Sequence, residues 1–387
     1  MFQHVILSEV EGSRRITESD ATGFLDFARN DGEEAQMKAK QTSDPYTLTD
    51  LDHWREVTRD VNPPIRLGVF GDPAEHSLSP QMQNAALKHC QIEMQYARFQ
   101  ISPNGLHDAL SLVRELNFIG VNLTIPHKIA AAGLVDELDE SAKRVGAANT
   151  IKIDAETCNH RAAAGHMEMQ AKSEARTAHP PSRRSRVAHS AVVTVESKKR
   201  MRGFNTDGRG FSRAIREEFS VDLRDMRVLV LGAGGAGRAI AMQCARENCE
   251  RLVIANRTFG KAKQLANELG DFFAGPKVFG PVPRLQAIGW EENAFRFQIA
   301  NIDLIVNATS LGLSRADASP IPARLLAPHL MIYDTIYSRE RTPFVSAAIE
   351  AGARGANGLS MLLHQGALAF EIWFQREAPL EAMRKAL

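Results

Sequence analysis

The chain is short of three things: cysteine, net charge and long apolar runs. Four cysteines, at positions 90, 158, 244 and 249 of 387 residues, have no zinc-ligand spacing. So few in so long a chain fit reduced thiols in a cytosol and argue against a disulfide scaffold. A formal net charge of +1 gives no overall pull toward nucleic acid or an anionic membrane surface. No apolar stretch reaches the ~18 residues that a membrane-spanning helix needs. Val5-Ile6-Leu7 is followed at once by Glu9 and Glu11, which is not the form of a signal peptide. These absences lead us to expect a cytoplasmic protein with no nucleic-acid or membrane partner. What remains is ordinary globular composition, 44% apolar and 24% charged, in a chain long enough for two domains.

Residues 1–45 are mixed in charge and lack apolar periodicity, so a disordered extension is expected there, followed by one short helix around "LTDLDHWREV". From Ile65 the text alternates. "IRLGVFG" and "MQYARFQI" have the form of strands, "SPQMQNAALKHC" and "GLHDALSLVREL" that of helices, and "GVNLTI" that of a further strand. Strands alternating with helices predict a parallel α/β sheet. Residues 155–200 interrupt this rhythm with nine Lys/Arg against four Asp/Glu and a double proline. A solvated, disordered insertion is expected, with an anion-binding arm as the alternative. His160, His166, His179 and His189 are too irregularly spaced for a metal site, and none is expected. The alternation resumes at Met226 with four strand candidates, "RVLVLG", "RLVIAN", "DLIVNA" and "HLMIYD", and ends in a long apolar helix, "GLSMLLHQGALAFEIWFQ".

The first of these later strands runs into Gly232-Ala233-Gly234-Gly235-Ala236-Gly237 and then a helical pattern. G-x-G-x-x-G is weak alone, but between a strand and a helix it is a dinucleotide signature. The glycines let the backbone approach a pyrophosphate, and the helix N-terminus supplies free N–H groups. The next strand ends in Asn256-Arg257-Thr258, with Lys261 just beyond. An acid at this point would bind a ribose 2′-hydroxyl, whereas a guanidinium suits a 2′-phosphate. The expected cofactor is therefore NADP(H), with Arg257 as its principal contact.

Hydride transfer also needs a polar substrate and a proton donor. Four segments ahead of the glycine loop offer them: "EHSLSP" with Ser77 and Ser79, "NLTIPHK" with Asn122, Thr124 and Lys128, "GAANTI" with Asn149 and Thr150, and "GFNTDGRGF" with Asp207. Hydroxyls, amides, one ammonium and one carboxylate suit a small polyhydroxylated ligand. Taken alone, each could be a loop or a helix cap.

The segments "HSLSP", "NLTIPHK", "GAANT", "NTDG", "GAGGAG", "NRT", "NATS" and "GLSMLLHQGA" stand in this order between about Ile65 and Trp373. In that order they resemble the shikimate/quinate dehydrogenase superfamily, and within it shikimate dehydrogenase. The resemblance implies reversible NADPH-dependent reduction of 3-dehydroshikimate to shikimate, a step in chorismate and aromatic amino acid biosynthesis. It also implies Lys128 and Asp207 as the catalytic pair and Ser77 and Ser79 as holders of the substrate carboxylate. Asn122, Thr124, Asn149, Tyr337 and Gln365 would line the rest of the pocket. Gly232 to Gly237, Asn256, Arg257, Thr258 and Lys261 would bind the cofactor, with Thr309, Thr335 and Gly358 beside the nicotinamide. Family members are monomers or homodimers. The expected fold is α/β in two domains: a substrate domain over 63–206 that takes back 357–387, and a Rossmann-type domain over 207–356, with a cleft between them.

One departure stands out. Asn149 and Asp207, both pocket candidates, are separated by the insertion, where the family has a short hairpin. If the insertion disturbed that hairpin, the two residues would lose their register. Two rival readings share the fold: a quinate/shikimate dehydrogenase of broader specificity, and a non-catalytic NADP-binding regulator.

Overall fold

The computed structural model describes residues 44–154, 199–274, 282–313 and 317–387. The expected N-terminal extension and basic insertion lie almost wholly outside these residues. Along the chain, the first half holds β1 (Tyr46–Thr47), α1 (Leu48–Asp52), α2 (Trp54–Val57), β2 (Ile65–Gly71), α3 (Ser79–His89), β3 (Gln95–Gln100), α4 (Leu106–Glu115), β4 (Gly120–Leu123), α5 (Lys128–Ala131), β5 (Glu137–Leu138), α6 (Glu140–Val145), β6 (Thr150–Ile153) and β7 (Met201–Phe204). Its seven strands form one sheet in the order β1-β3-β2-β4-β6-β7-β5.

The second half holds α7 (Asp207–Phe219), β8 (Arg227–Leu231), α8 (Gly235–Arg246), β9 (Arg251–Ala255), α9 (Phe259–Glu268), α10 (Gly270–Phe273), β10 (Leu285–Ile288), α11 (Glu292–Ile299), β11 (Leu304–Asn307), β12 (Met331–Asp334), α12 (Pro343–Glu350), β13 (Arg354–Asn357), α13 (Leu359–Phe374) and α14 (Leu380–Lys385). Six strands form a second sheet, β10-β9-β8-β11-β12-β13, in which every pairing is parallel.

Alternation of side chains sets the layers. Val228 and Val230 of β8 enter the apolar cluster on one face of the second sheet, and Leu229 and Leu231 enter the cluster on the other. A strand covered on both faces is apolar throughout, which is why "VLVL" is so readable. The first sheet is sandwiched likewise. Phe70, Phe99 and Val121 face one cluster, while Leu67, Val69 and Tyr96 face α3 and the last two helices. Helix α13 is apolar on nearly every side because it is buried between neighbours. It returns to the first sheet, where the Trp373 indole donates to the Ile151 carbonyl at 3.0 Å.

Four sequence expectations need correction. The first sheet is mixed: β6 runs antiparallel to both β4 and β7. The segment expected as one helix after residue 45 is a short strand and two helices. Strand β1 pairs with β3, and Thr47 and Asp50 form a reciprocal capping box that starts α1. Strand β4 ends at Leu123, short of the expected Ile125, because the chain turns toward Pro126, which has no N–H to donate. Strands β10 and β13 are additions to the expected set. Both lie at sheet edges with most residues only half-buried, so neither carries the continuous apolar run of the central strands.

Candidate active site

The carboxyl end of β4 delivers the segment that sequence analysis singled out. Ile125-Pro126 is a cis peptide, and the chain then turns into α5, whose first residue is Lys128. The turn is fastened by its own neighbours. Buried His127 donates from Nε2 to the Ile101 carbonyl at 2.8 Å, and the Ala148 amide donates to the Lys128 carbonyl at 2.8 Å. Burial pulls the His127 pKa down, partly offset by the Ile101 bond and Asp72, so this ring is neutral at pH 7.

Lys128 Nζ donates to Asp207 Oδ2 at 2.7 Å. The lysine side chain is 17% exposed and the aspartate 3%. The carboxylate is thus dry, while the lysine side chain keeps partial exposure. Asp207 is the first residue of α7, and its other oxygen accepts from Asn149 Nδ2 at 2.7 Å. Both carboxylate oxygens are therefore held, whereas two of the three ammonium N–H groups have no partner among the described residues.

Asn149 organises the floor. Its Oδ1 accepts the Thr206 amide at 2.9 Å, and its Nδ2 also reaches Thr206 Oγ1 at 2.9 Å and Gln365 Oε1 at 3.3 Å. The register placed at risk by the insertion is intact: β6 and β7 pair from Thr150↔Phe204 to Ile153↔Met201, on both sides of the interrupting residues. Asn122 is buried, with both amide hydrogens and one oxygen lone pair engaged. Tyr96 donates to its Oδ1 at 2.8 Å, and its Nδ2 donates to the Asn149 carbonyl and Thr150 Oγ1. The half-buried Thr124 hydroxyl has no partner among the described residues.

A second group of hydroxyls gathers at the start of α3. The Ser79 amide donates to Ser77 Oγ at 3.3 Å, and the Tyr96 hydroxyl lies beside Ser79. Tyr337 arrives from beyond β12, in the other half of the chain, and faces the Ser77 hydroxyl and the Leu78 amide. Burial pushes the Tyr337 pKa up, against the opposing pull of those two groups and the nearby Arg98 charge. Sequence reasoning missed Tyr96 and Thr206. Thr206 stands inside a quoted motif, but Tyr96, near the start of β3, reaches the site only because β2 borders both β3 and β4.

The glycine loop abuts this site. A Cβ on Gly235 would lie 3.2 Å from Lys128 Cβ. Gly232 has φ +105°, and a Cβ on Gly237 would sit 2.0 Å from the Gly232 carbonyl oxygen, so both positions demand glycine. Around Gly234 a Cβ would meet nothing within 4 Å, leaving the approach to the α8 N-terminus open. Those features fit a dinucleotide pyrophosphate. Asn256 holds the loop: its Oδ1 accepts the Ala233 amide at 3.1 Å and its Nδ2 donates to the Thr258 carbonyl. Arg257, Thr258 and Lys261 are exposed. Neither cationic side chain has a partner among the described residues.

Thr309, Thr335 and Gly358 follow the carboxyl ends of β11, β12 and β13, the edge where open α/β sheets bind ligands. Thr309 Oγ1 donates to Asn307 Oδ1 at 2.7 Å, and its methyl group backs Gly232.

Comparison with known proteins bears on all of these elements. Residues 69–151 match the shikimate dehydrogenase substrate binding domain, 213–276 match shikimate / quinate 5-dehydrogenase, and 358–387 match the shikimate 5'-dehydrogenase C-terminal domain. A shikimate dehydrogenase (NADP(+)) of Methanopyrus kandleri is 36% identical over 323 residues, 83% of this chain and 94% of the relative. The chain belongs to the shikimate dehydrogenase family. A family member crystallised in complex with NADP+ superposes with TM-score 0.64 at 30% identity, covering 83% of this chain and 93% of that one. The enzyme of Thermus thermophilus, in complex with NADP(H) and shikimate, gives 0.63 at 31% identity, with 83% and 98% covered. Among the described residues no helix is long and apolar enough to cross a membrane.

Proposed function

We infer that this chain reduces 3-dehydroshikimate to shikimate with NADPH, reversibly, as an NADP-dependent oxidoreductase acting on a CH–OH group. The observation that carries the reading is the 2.7 Å Lys128–Asp207 pair, set against the glycine loop and backed by Asn149. The same pair speaks against a non-catalytic regulator, which would have no need of it.

When bound, the cofactor supplies hydride to the ring carbonyl carbon. Negative charge then grows on the carbonyl oxygen, and Lys128, as ammonium, can hydrogen-bond that oxygen and give it a proton. Asp207 holds the ammonium in place. It is itself anchored by Asn149, so the geometry of the proton donor does not depend on the substrate. In the reverse direction the neutral amine takes the hydroxyl proton as hydride leaves.

Gly232 to Gly237, with Asn256 behind them, would cradle the pyrophosphate, and Arg257 and Lys261 would meet the 2′-phosphate. Thr258 flanks them, and Thr309, Thr335 and Gly358 would border the nicotinamide. Ser77, Ser79 and Tyr337 would take the substrate carboxylate, and Thr124, Asn122, Asn149 and Gln365 the ring hydroxyl side.

The test is steady-state NADPH oxidation with 3-dehydroshikimate, compared with NAD+ reduction by quinate. We expect the first to dominate. Preferential quinate oxidation with NAD+ would sink the assignment.

A further inference from the structure

One cation near this site is not used by the reaction as described. Arg98 lies on β3, half-buried, two residues beyond Tyr96. Its Nε and Nη2 both donate to the Ser77 carbonyl, at 2.9 and 2.7 Å, and Nη2 also reaches Gln81 Oε1 at 3.0 Å. All three bonds end on neutral oxygens, and no carboxylate pairs with this guanidinium among the described residues. A half-buried arginine ordinarily finds an acid, because partial desolvation without a counter-charge is costly. Here the fork is spent on the main chain at Ser77, and the charge is left uncompensated beside a group of hydroxyls. It is close enough to Tyr337 for each to shift the other's ionisation.

We propose that Arg98 is the electrostatic determinant of the substrate's carboxylate: it fixes the loop that presents Ser77 and Ser79, and its unpaired charge selects an anionic ring acid over a neutral analogue. This rests on the functional reading above. The hydroxyls of Ser77, Ser79 and Tyr337 can donate to a carboxylate but carry no charge, and a neutral ester accepts hydrogen bonds too. Arg98 supplies the difference. It acts from behind Ser77, through space and through the loop, so it is a positioning and specificity residue and does not touch the reacting carbon. The N-terminus of α3, which begins at Ser79, adds a field of the same sign.

The test uses the full chain with shikimate and with its methyl ester as alternative substrates. Arg98→Gln can still donate to the Ser77 carbonyl but has no charge; Arg98→Lys keeps the charge and loses the fork. For Arg98→Gln we expect KM for shikimate to rise about tenfold, equivalent to ~1.4 kcal/mol, with KM for the ester and for NADP+ little changed. Arg98→Lys should recover most of the preference for acid over ester. Raising ionic strength should increase the wild-type KM for shikimate and leave that of Arg98→Gln flat. Equal losses on acid and ester would show a purely structural role and overturn the proposal, as would an unchanged KM for shikimate. A wild-type protein that turns over neither substrate would remove the functional reading itself, a result distinct from either of these.

Discussion

Lys128 and Arg257 each stand just past the end of a strand, yet the structure surrounds them differently. Lys128 is braced by Asp207 and pressed by the glycine loop; Arg257 stands in solvent. Replacing Lys128 with Ala should lower kcat by ~10² or more, the scale of a positioned acid–base group, and near wild-type turnover would refute its role. Arg257→Ala should raise KM for NADP+ strongly and KM for NAD+ little, since only the former carries a 2′-phosphate. Equal changes would argue against that contact. Two glycines separate fold from function in the same loop. Gly237→Ala forces a Cβ to 2.0 Å from the Gly232 oxygen, an overpacking of ~1–3 kcal/mol or more, visible in urea unfolding. Gly234→Ala meets open space and should unfold like the wild type while weakening NADP+ binding. At this scale the sequence is informative wherever chemistry clusters in short motifs, as in "NLTIPHK". It is silent on Tyr96 and Arg98, whose neighbours are distant in sequence. It also leaves hidden that Asn256 and Asn122 are engaged by the protein itself, because a motif names a residue without its partners.

The elements that aim these residues are legible in proportion to their burial. Central strands covered on both faces read as apolar runs, and edge strands β10 and β13 do not. The segment after residue 45 is the one most underestimated by its sequence. Trp54 is 7% exposed and packs against Tyr46, Phe99 and Phe118 with ring centroids 5.2–5.6 Å apart. This segment therefore completes the core of the first sheet. Trp54→Ala should cost ~3–5 kcal/mol, as large-to-small core substitutions do, and denaturant midpoints will show it. A loss below about 1 kcal/mol, the ordinary size of a point-mutation effect, would mean that the segment is an appendage. The hairpin arms β6 and β7 teach the converse lesson. Their apolar residues Ile151, Ile153 and Met201 fix the register from the core side, and the closing cost of an intervening segment grows only as the logarithm of its length. Asn149 and Asp207 thus stay 2.7 Å apart at their side chains across 58 positions.

At the scale of the whole molecule, two sheets turn their strand ends toward one site, and residues from both halves complete it. Tyr337 reaches Ser77, Gly235 meets Lys128, and Gln365 meets Asn149. The same architecture sets a pH response. Burial holds His127 neutral in the fold, with its pKa below the ordinary value. The unfolded chain takes up that proton near pH ~6.5, so stability is full above that pH and falls as pH drops toward the folded pKa. His364, buried beside Glu217, is depressed in the same way. Glu217 is held below the ordinary carboxylate range, chiefly by Arg384, and adds a second loss at lower pH as it is protonated. Unfolding free energy should therefore decline between about pH 7.5 and 5.5, either side of the ordinary histidine value. It should decline less in His127→Gln, whose amide can still donate to the Ile101 carbonyl. An equal decline in both proteins would exclude His127 as a source. The central claim, that one braced lysine serves a ketone opposite an NADP site, is tested most directly by one measurement. Purified wild-type and Lys128→Ala proteins would be assayed for 3-dehydroshikimate-dependent NADPH oxidation under identical conditions. The structure predicts robust turnover in the first and a loss of ~10² or more in kcat in the second, with KM for NADPH preserved. Equal rates in the two proteins, or none in the wild type, would contradict it.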